Sequence, residues 1–379
     1  MKYRQITLAM MTGLALLLCA ASRGQESPVY TRWENFTTAN GMPDDKVFQA
    51  AVDGDRVWVG TENGLVLIEK GKIQRVYRPE DGLANRVVTG VAVDQSSGDV
   101  WLATFGGLSR LSGGEFKNYK NFTSGLANDI VYAVAVQGEY VWAATTAGIS
   151  RLNTHTGEWS IFSEKNAPMH EPWSYGIAVT EKKMYFAVWG GGLLEYDIAG
   201  GWWKPYNDPD GEMEIVLFQN QGLIHDIVSN VAYNPDTQMV WASTYFGLSG
   251  YDGHNWHNYL STDSALASDF INAVQSRGND VWACTDKGLS YLNFKTGEWI
   301  TYRPAENGNG GDIAITTADK KVQHRQTSTT LAHNYILNLT FQGDDIWVAT
   351  AKGLSHGMRE TSHQSTKEGN RNEHKSASR

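Results

Sequence analysis

Hydrophobic residues in this chain come in short runs bounded by glycine-rich turns, and no segment carries a helical period. One run recurs. Val100-Trp-Leu-Ala-Thr-Phe-Gly-Gly-Leu108 has counterparts beginning at Val57, Val141, Met184, Val240, Val281 and Ile346. Each unit predicts four strands. A turn such as Gly82-Leu-Ala-Asn85 leads into an apolar run, Val87–Val93, of the kind covered on both faces. The Val-Trp-x-x-Thr strand follows, then a Gly-Leu corner into Leu108-Ser-Arg-Leu111, and last an edge strand such as Glu115-Phe-Lys-Asn-Tyr119. The marker positions Trp58, Trp101, Trp142, Tyr185, Trp241, Trp282 and Trp347 put the unit near 41 to 43 residues, with extra material before the fifth and seventh. Such a unit cannot bury its own faces alone, so seven copies predict an all-β, seven-bladed β-propeller of four-stranded antiparallel blades.

The ends say how the ring closes. The last unit lacks an aromatic fourth strand, and Val29-Tyr-Thr-Arg-Trp-Glu-Asn-Phe36 has that pattern ahead of the first unit. An N-terminal strand completing the last blade leaves no free sheet edge. The propeller is assigned to residues 25–358 and a disordered polar tail to 359–379.

Residues 1–24 read as a secretory signal peptide, with Lys2 and Arg4 before an apolar stretch too short to span a membrane and small residues after it. The mature chain is therefore expected to be periplasmic or secreted, without a transmembrane segment. Leu18 before Cys19 is a poor lipoprotein box. Cys284 is then the remaining thiol, expected as a small buried residue because Gly60, Ala103, Ala144 and Ser243 fill its slot elsewhere. A net charge of −9 disfavours a nucleic-acid partner.

Asn40-Gly-Met-Pro-Asp-Asp45, Asp81-Gly-Leu-Ala-Asn85 and Ser124-Gly-Leu-Ala-Asn128, each with Trp-x-x-Thr-x-x-Gly-Leu downstream (Ile149 standing for the Leu in the third), resemble the two-component-regulator propeller repeat over roughly residues 29 to 357. The resemblance implies a periplasmic sensor-type propeller that binds ligands, often carbohydrate-derived. Since no kinase or DNA-binding segment follows, it points to a stand-alone binding propeller.

Loops at alternate ends of a blade bring two positions to one face of the ring. The turn before the first strand contributes Asp44, Asn85, Asn128, Glu171, His225, Ser268 and His333. The corner after the second contributes Glu62, Phe105, Thr146, Trp189, Tyr245, Asp286 and Ala351. Variation concentrates in the fourth, fifth and seventh units, which add His170, Trp173 and Phe246. The candidate ligand-binding set is Asn85, Phe105, Asn128, His170, Glu171, Trp173, Trp189, His225, Tyr245 and His333: aromatic faces for a ring, with imidazole, amide and carboxylate groups to orient it. The competing reading of each aromatic is core packing.

No cofactor or metal is expected, because His170, His225 and His333 show no ligand spacing and Asp208-x-Asp210-Gly211 lacks the flanking ligands of a calcium loop. No hydrolase, zincin, haem or phosphate-loop motif is present. A non-catalytic partner of a small molecule or protein is the leading expectation. A lyase or glycosidase using Glu171 or Glu62 with His225 or His333 is the second, and an envelope scaffold docking through insertions 207–221 and 303–329 is the third. Both insertions are expected as projecting hairpins on the same face.

Overall fold

A Val-Trp-x-x-Thr run is apolar on both faces, which suits a strand sandwiched between two neighbours. The computed structural model, which describes residues 27–211, 219–306 and 308–359, arranges the runs that way. Seven antiparallel sheets surround one axis as propeller blades. The inner strands are Val47–Asp53, Val88–Val93, Val131–Gln137, Ser174–Val179, Val228–Asn234, Ile271–Arg277 and Ile336–Gln342. The proposed signal peptide, the polar tail beyond Arg359 and the apolar stretch Ile215–Phe218 lie outside the described residues.

The core lies between blades rather than within them. Trp101, Ala103 and Leu108 of the second blade, for example, pack with Leu126, Val131 and Val134 of the third. The other junctions repeat the arrangement, and the marker residues Trp101, Trp142, Trp241, Trp282 and Trp347 are all but inaccessible. Cys284 is fully buried, and burial pushes its thiol pKa well up.

The threonine of the motif pins the corner. Thr145 Oγ1 donates to Gly148 O at 2.7 Å and accepts the Ala147 N–H at 3.1 Å, and the same pair of bonds recurs at Thr61, Thr104, Thr244, Thr285 and Thr350. The fourth blade has Val188 instead, and its corner runs through Gly190, Gly191 and Gly192.

Tyr30–Phe36 pairs antiparallel with Gly353–Arg359 and completes the seventh blade. Trp33 lies opposite Gly357, where an added Cβ would come within 2.6 Å of the indole. Tyr30 donates its hydroxyl to Asp344 O at 2.7 Å, and Tyr302 reaches back to Pro28 O at 3.0 Å.

One expectation needs correction. The second insertion does not project over the mouth: Gly311–Thr316 and Val322–Thr327 add to the sixth blade as fifth and sixth strands, and Ile313 joins the cluster around Tyr30 and Trp33. The inner strands are covered from both sides: in Val47–Asp53, Ala50 and Val52 pack toward the seventh blade and Ala51 toward the second, while the unpaired edge of the strand borders the central shaft.

Candidate functional site

In all seven inner strands the pairing register slips at the second residue: Phe48, Thr89, Tyr132, Tyr175, Ser229, Asn272 and Leu337. A bulge places one extra residue opposite the partner strand and re-aims its side chain. Here that side chain enters the shaft. Small polar residues at this position tether the next blade, as Thr89 Oγ1 does to Val131 O at 2.7 Å and Ser229 Oγ to Ile271 O at 2.6 Å. Where the residue is large, as at Phe48, Tyr132, Tyr175 and Leu337, it builds a wall.

The result is a cavity of about 530 Å³ at the mouth of the shaft, within the size range of small-molecule sites. A chain of ring contacts runs along it from the second blade to the seventh. Phe105 meets Tyr132 edge-on at 5.7 Å, and Tyr132 stacks on Tyr175 at 4.3 Å. Tyr175 leads to Trp189 at 5.4 Å, Trp189 meets Tyr245 at right angles at 4.8 Å, and Tyr245 stacks on Phe270 at 3.8 Å. Phe270 approaches Tyr335 at 6.5 Å. Burial pushes the Tyr245 pKa up to about 12 and also raises those of Tyr175 and Tyr335, so the phenols stay protonated at neutral pH. Amides complete the lining at Gln49, Asn230, Asn272, Gln275 and Asn338, and Lys46 is its cation among the described residues.

The sequence-selected residues divide into three groups. Phe105 and Tyr245 line the cavity, and Trp189 lies between Tyr175 and Tyr245 in the arc. Asn85, Asn128, His225 and His333 serve the backbone instead, since each accepts the N–H two residues on, at 2.8–3.0 Å, and so closes the turn before the inner strand. Asp44 and Ser268 do likewise. In the two histidines the acceptor is Nδ1, which places the proton of the neutral ring on Nε2. His225 is buried and stacks on Phe246 at 4.1 Å. His170, Glu171 and Trp173 are exposed at the approach to the fourth blade and do not line the cavity. The described residues hold no group of three acidic, histidine or cysteine side chains able to bind a metal ion.

Sequence reading passed over Tyr132, Tyr175, Phe270 and Tyr335. The available signal was the residue on either side of the first strand's opening aliphatic, which is aromatic in several units and varies from one to the next.

The histidine turns carry a prediction. Burial, with Lys352 nearby, holds the His333 pKa below its ordinary value. The unfolded chain therefore binds the proton first as pH falls. The stability tied to neutral His333 is whole above about pH 6.5 and is lost as pH drops toward the native pKa. His333→Asn, which keeps the acceptor, is expected to flatten the dependence of the denaturation midpoint on pH between 8 and 5. His333→Leu is expected to cost about 1 kcal/mol at pH 8. Equal slopes for wild type and the asparagine variant would count against this.

No protein-family model matches the chain, and no curated protein matches it in sequence. Solved structures do. The extracellular domain of a hybrid two-component system from B. thetaiotaomicron aligns over 87% of this chain and 42% of its own, at 15% identity and a TM-score of 0.64. That of a one-component system from the same organism aligns over 88% and 40%, at 17% identity and 0.66. The chain thus spans about two fifths of the length of these proteins. Virginiamycin B lyase from Staphylococcus aureus aligns over 86% of this chain and 98% of its own, at 14% identity and 0.59. At these identities the likeness is one of fold. No helix among the described residues is long and apolar enough to cross a membrane.

Proposed function

We propose that this protein is a non-catalytic binding or sensing propeller that works outside the cytoplasm and takes one small, ring-containing ligand, carbohydrate-derived compounds included, at the mouth of the shaft. The observation that carries this is the arc from Phe105 through Tyr132, Tyr175, Trp189, Tyr245 and Phe270 to Tyr335, bordering a cavity whose lining holds amides and phenols but no carboxylate or imidazole among the described residues. Such a lining suits binding and orienting a ring, and among the described residues it offers no carboxylate or imidazole to take a proton. The leader-like start of the sequence and the extracellular origin of two of the similar domains support this location.

The test is a fluorescence and thermal-shift screen of the full chain against oligosaccharides and aromatic metabolites. A ligand from that screen should bind Tyr175→Ala about tenfold or more weakly, the loss expected for one stacking partner and its hydroxyl. Binding that survives both Tyr175→Ala and Tyr132→Ala would move the ligand elsewhere.

A lyase is the second reading, favoured by the likeness to virginiamycin B lyase, which has also been seen with quinupristin in an inactive histidine-to-alanine form. Of its expected pair, Glu171 or Glu62 with His225 or His333, the histidine Nδ1 atoms are engaged in turns. Conversion of quinupristin followed by chromatography, and lost in His333→Asn, is the outcome that would favour it.

A further inference from the structure

Polar groups are unevenly distributed around the cavity. Gln49 accepts the Val91 N–H at 3.0 Å through Oε1, and Asn338 accepts the Leu339 N–H at 2.7 Å through Oδ1. A backbone N–H can bond only the oxygen of an amide, so this fixes which end of each side chain is which. The NH2 groups of Gln49 and Asn338 are left as donors with no hydrogen-bond partner among the described residues. Gln49 stands on the first blade and reaches across to the second, and Asn338 stands on the seventh, so the two flank the first blade's inner strand.

Lys46 precedes the inner strand of the first blade on its mouth side and lines the same cavity. Its ammonium lies 3.2 Å from Glu62, but both side chains are partly exposed, and such a pair is readily exchanged. The corner of the seventh blade carries Ala351, where the other blades have Glu, Phe, Thr, Trp, Tyr and Asp, so this sector is left unfilled.

We propose that the ligand is a small carboxylate: its ring lies along the aromatic arc and its carboxylate faces Lys46, Gln49 and Asn338. This rests on the shaft mouth being the binding site. Arc and donors sit in different sectors of one cavity, so ring and charge are read at the same time. Aryl carboxylates and sugar acids share this chemistry.

Matched pairs separate the possibilities. Phenylacetate against phenylacetamide, and D-glucuronate against D-glucose, are titrated into the full chain at low ionic strength and pH 7, with tryptophan fluorescence and saturation-transfer NMR as readouts. In at least one pair the acid is expected to bind about tenfold more tightly than its neutral partner, the size of one charge-assisted hydrogen bond, and the responding pair identifies the source. Lys46→Met and Gln49→Leu should each shrink that preference. Glu62→Gln should enlarge it by releasing Lys46, an effect no loss of folding can imitate. Tyr175→Ala should weaken both members of the pair alike. Equal binding of acid and neutral forms that still depends on Tyr175 would overturn the carboxylate while leaving the mouth as the site. A preference untouched by Lys46→Met and Gln49→Leu would overturn it, as would no binding by any of the four compounds. In that last case the mouth itself is judged by the broader screen with Tyr175→Ala.

Discussion

Removal of residues 27–36 is expected to abolish cooperative folding of the whole ring. The strand Tyr30–Phe36 buries three large aromatics, Tyr30, Trp33 and Phe36, and with it go its own ladder to Gly353–Arg359 and the sealed edge of the seventh blade. Truncating one such aromatic costs about 3–5 kcal/mol, so losing three approaches or exceeds the net stability of an ordinary domain, roughly 5–15 kcal/mol. Tyr30→Ala alone should lower stability by about 3–5 kcal/mol, since its ring contacts Trp282 at 5.7 Å and Tyr302 at 6.4 Å. Urea denaturation with size-exclusion chromatography tests both. A truncated chain that stays monomeric with an unchanged midpoint would show that the ring does not depend on this strand.

Gly148→Ala should be the most damaging single-methyl addition at a corner. Gly148 holds φ at +103°, and a Cβ there would come within 2.2 Å of Phe162 O. Its N–H also donates to Pro172 O of the next blade at 2.8 Å. A loss of about 3 kcal/mol or more is expected, from backbone strain plus displacement of the edge strand. Gly138→Ala is the control: φ is +58° there, but nothing lies within 4 Å, so about 1 kcal/mol is expected. Similar losses at the two positions would mean that the left-handed conformation alone sets the cost and the edge strand gives way freely.

The architecture was legible because it depends on spacing. Trp58 to Trp347 mark the sandwiched strands, the glycine at each corner marks where the edge strand's carbonyl comes close, and the unmatched Tyr30–Phe36 pattern at one end fits the missing strand at the other. The shaft wall was harder to read, for a local reason. Alternation along a strand assigns faces correctly only while each residue has one partner, and the bulge at Tyr132, Tyr175 and their equivalents breaks that count at the second residue. The corner residues Phe105, Trp189 and Tyr245 lie beyond the bulge and could be aligned from the sequence. Asn85, Asn128, His225 and His333 could be aligned too, but spacing cannot show that a side chain folds back on its own turn. The sixth blade's added strands were visible as extra length only. Whether such a hairpin stands free or lies along an edge depends on Ile313 finding Tyr30 and Trp33, a contact almost three hundred residues away in the chain.

The slipped residue in every inner strand supplies no rung of its ladder. Its identity can change without disturbing the hydrogen bonds on either side or the apolar layers between sectors. Phenylalanine, threonine, tyrosine, serine, asparagine and leucine all occur there within this one protein. A duplicated gene of this kind can thus acquire a new lumen through a handful of single-codon replacements, while the frame that keeps it folded is inherited intact.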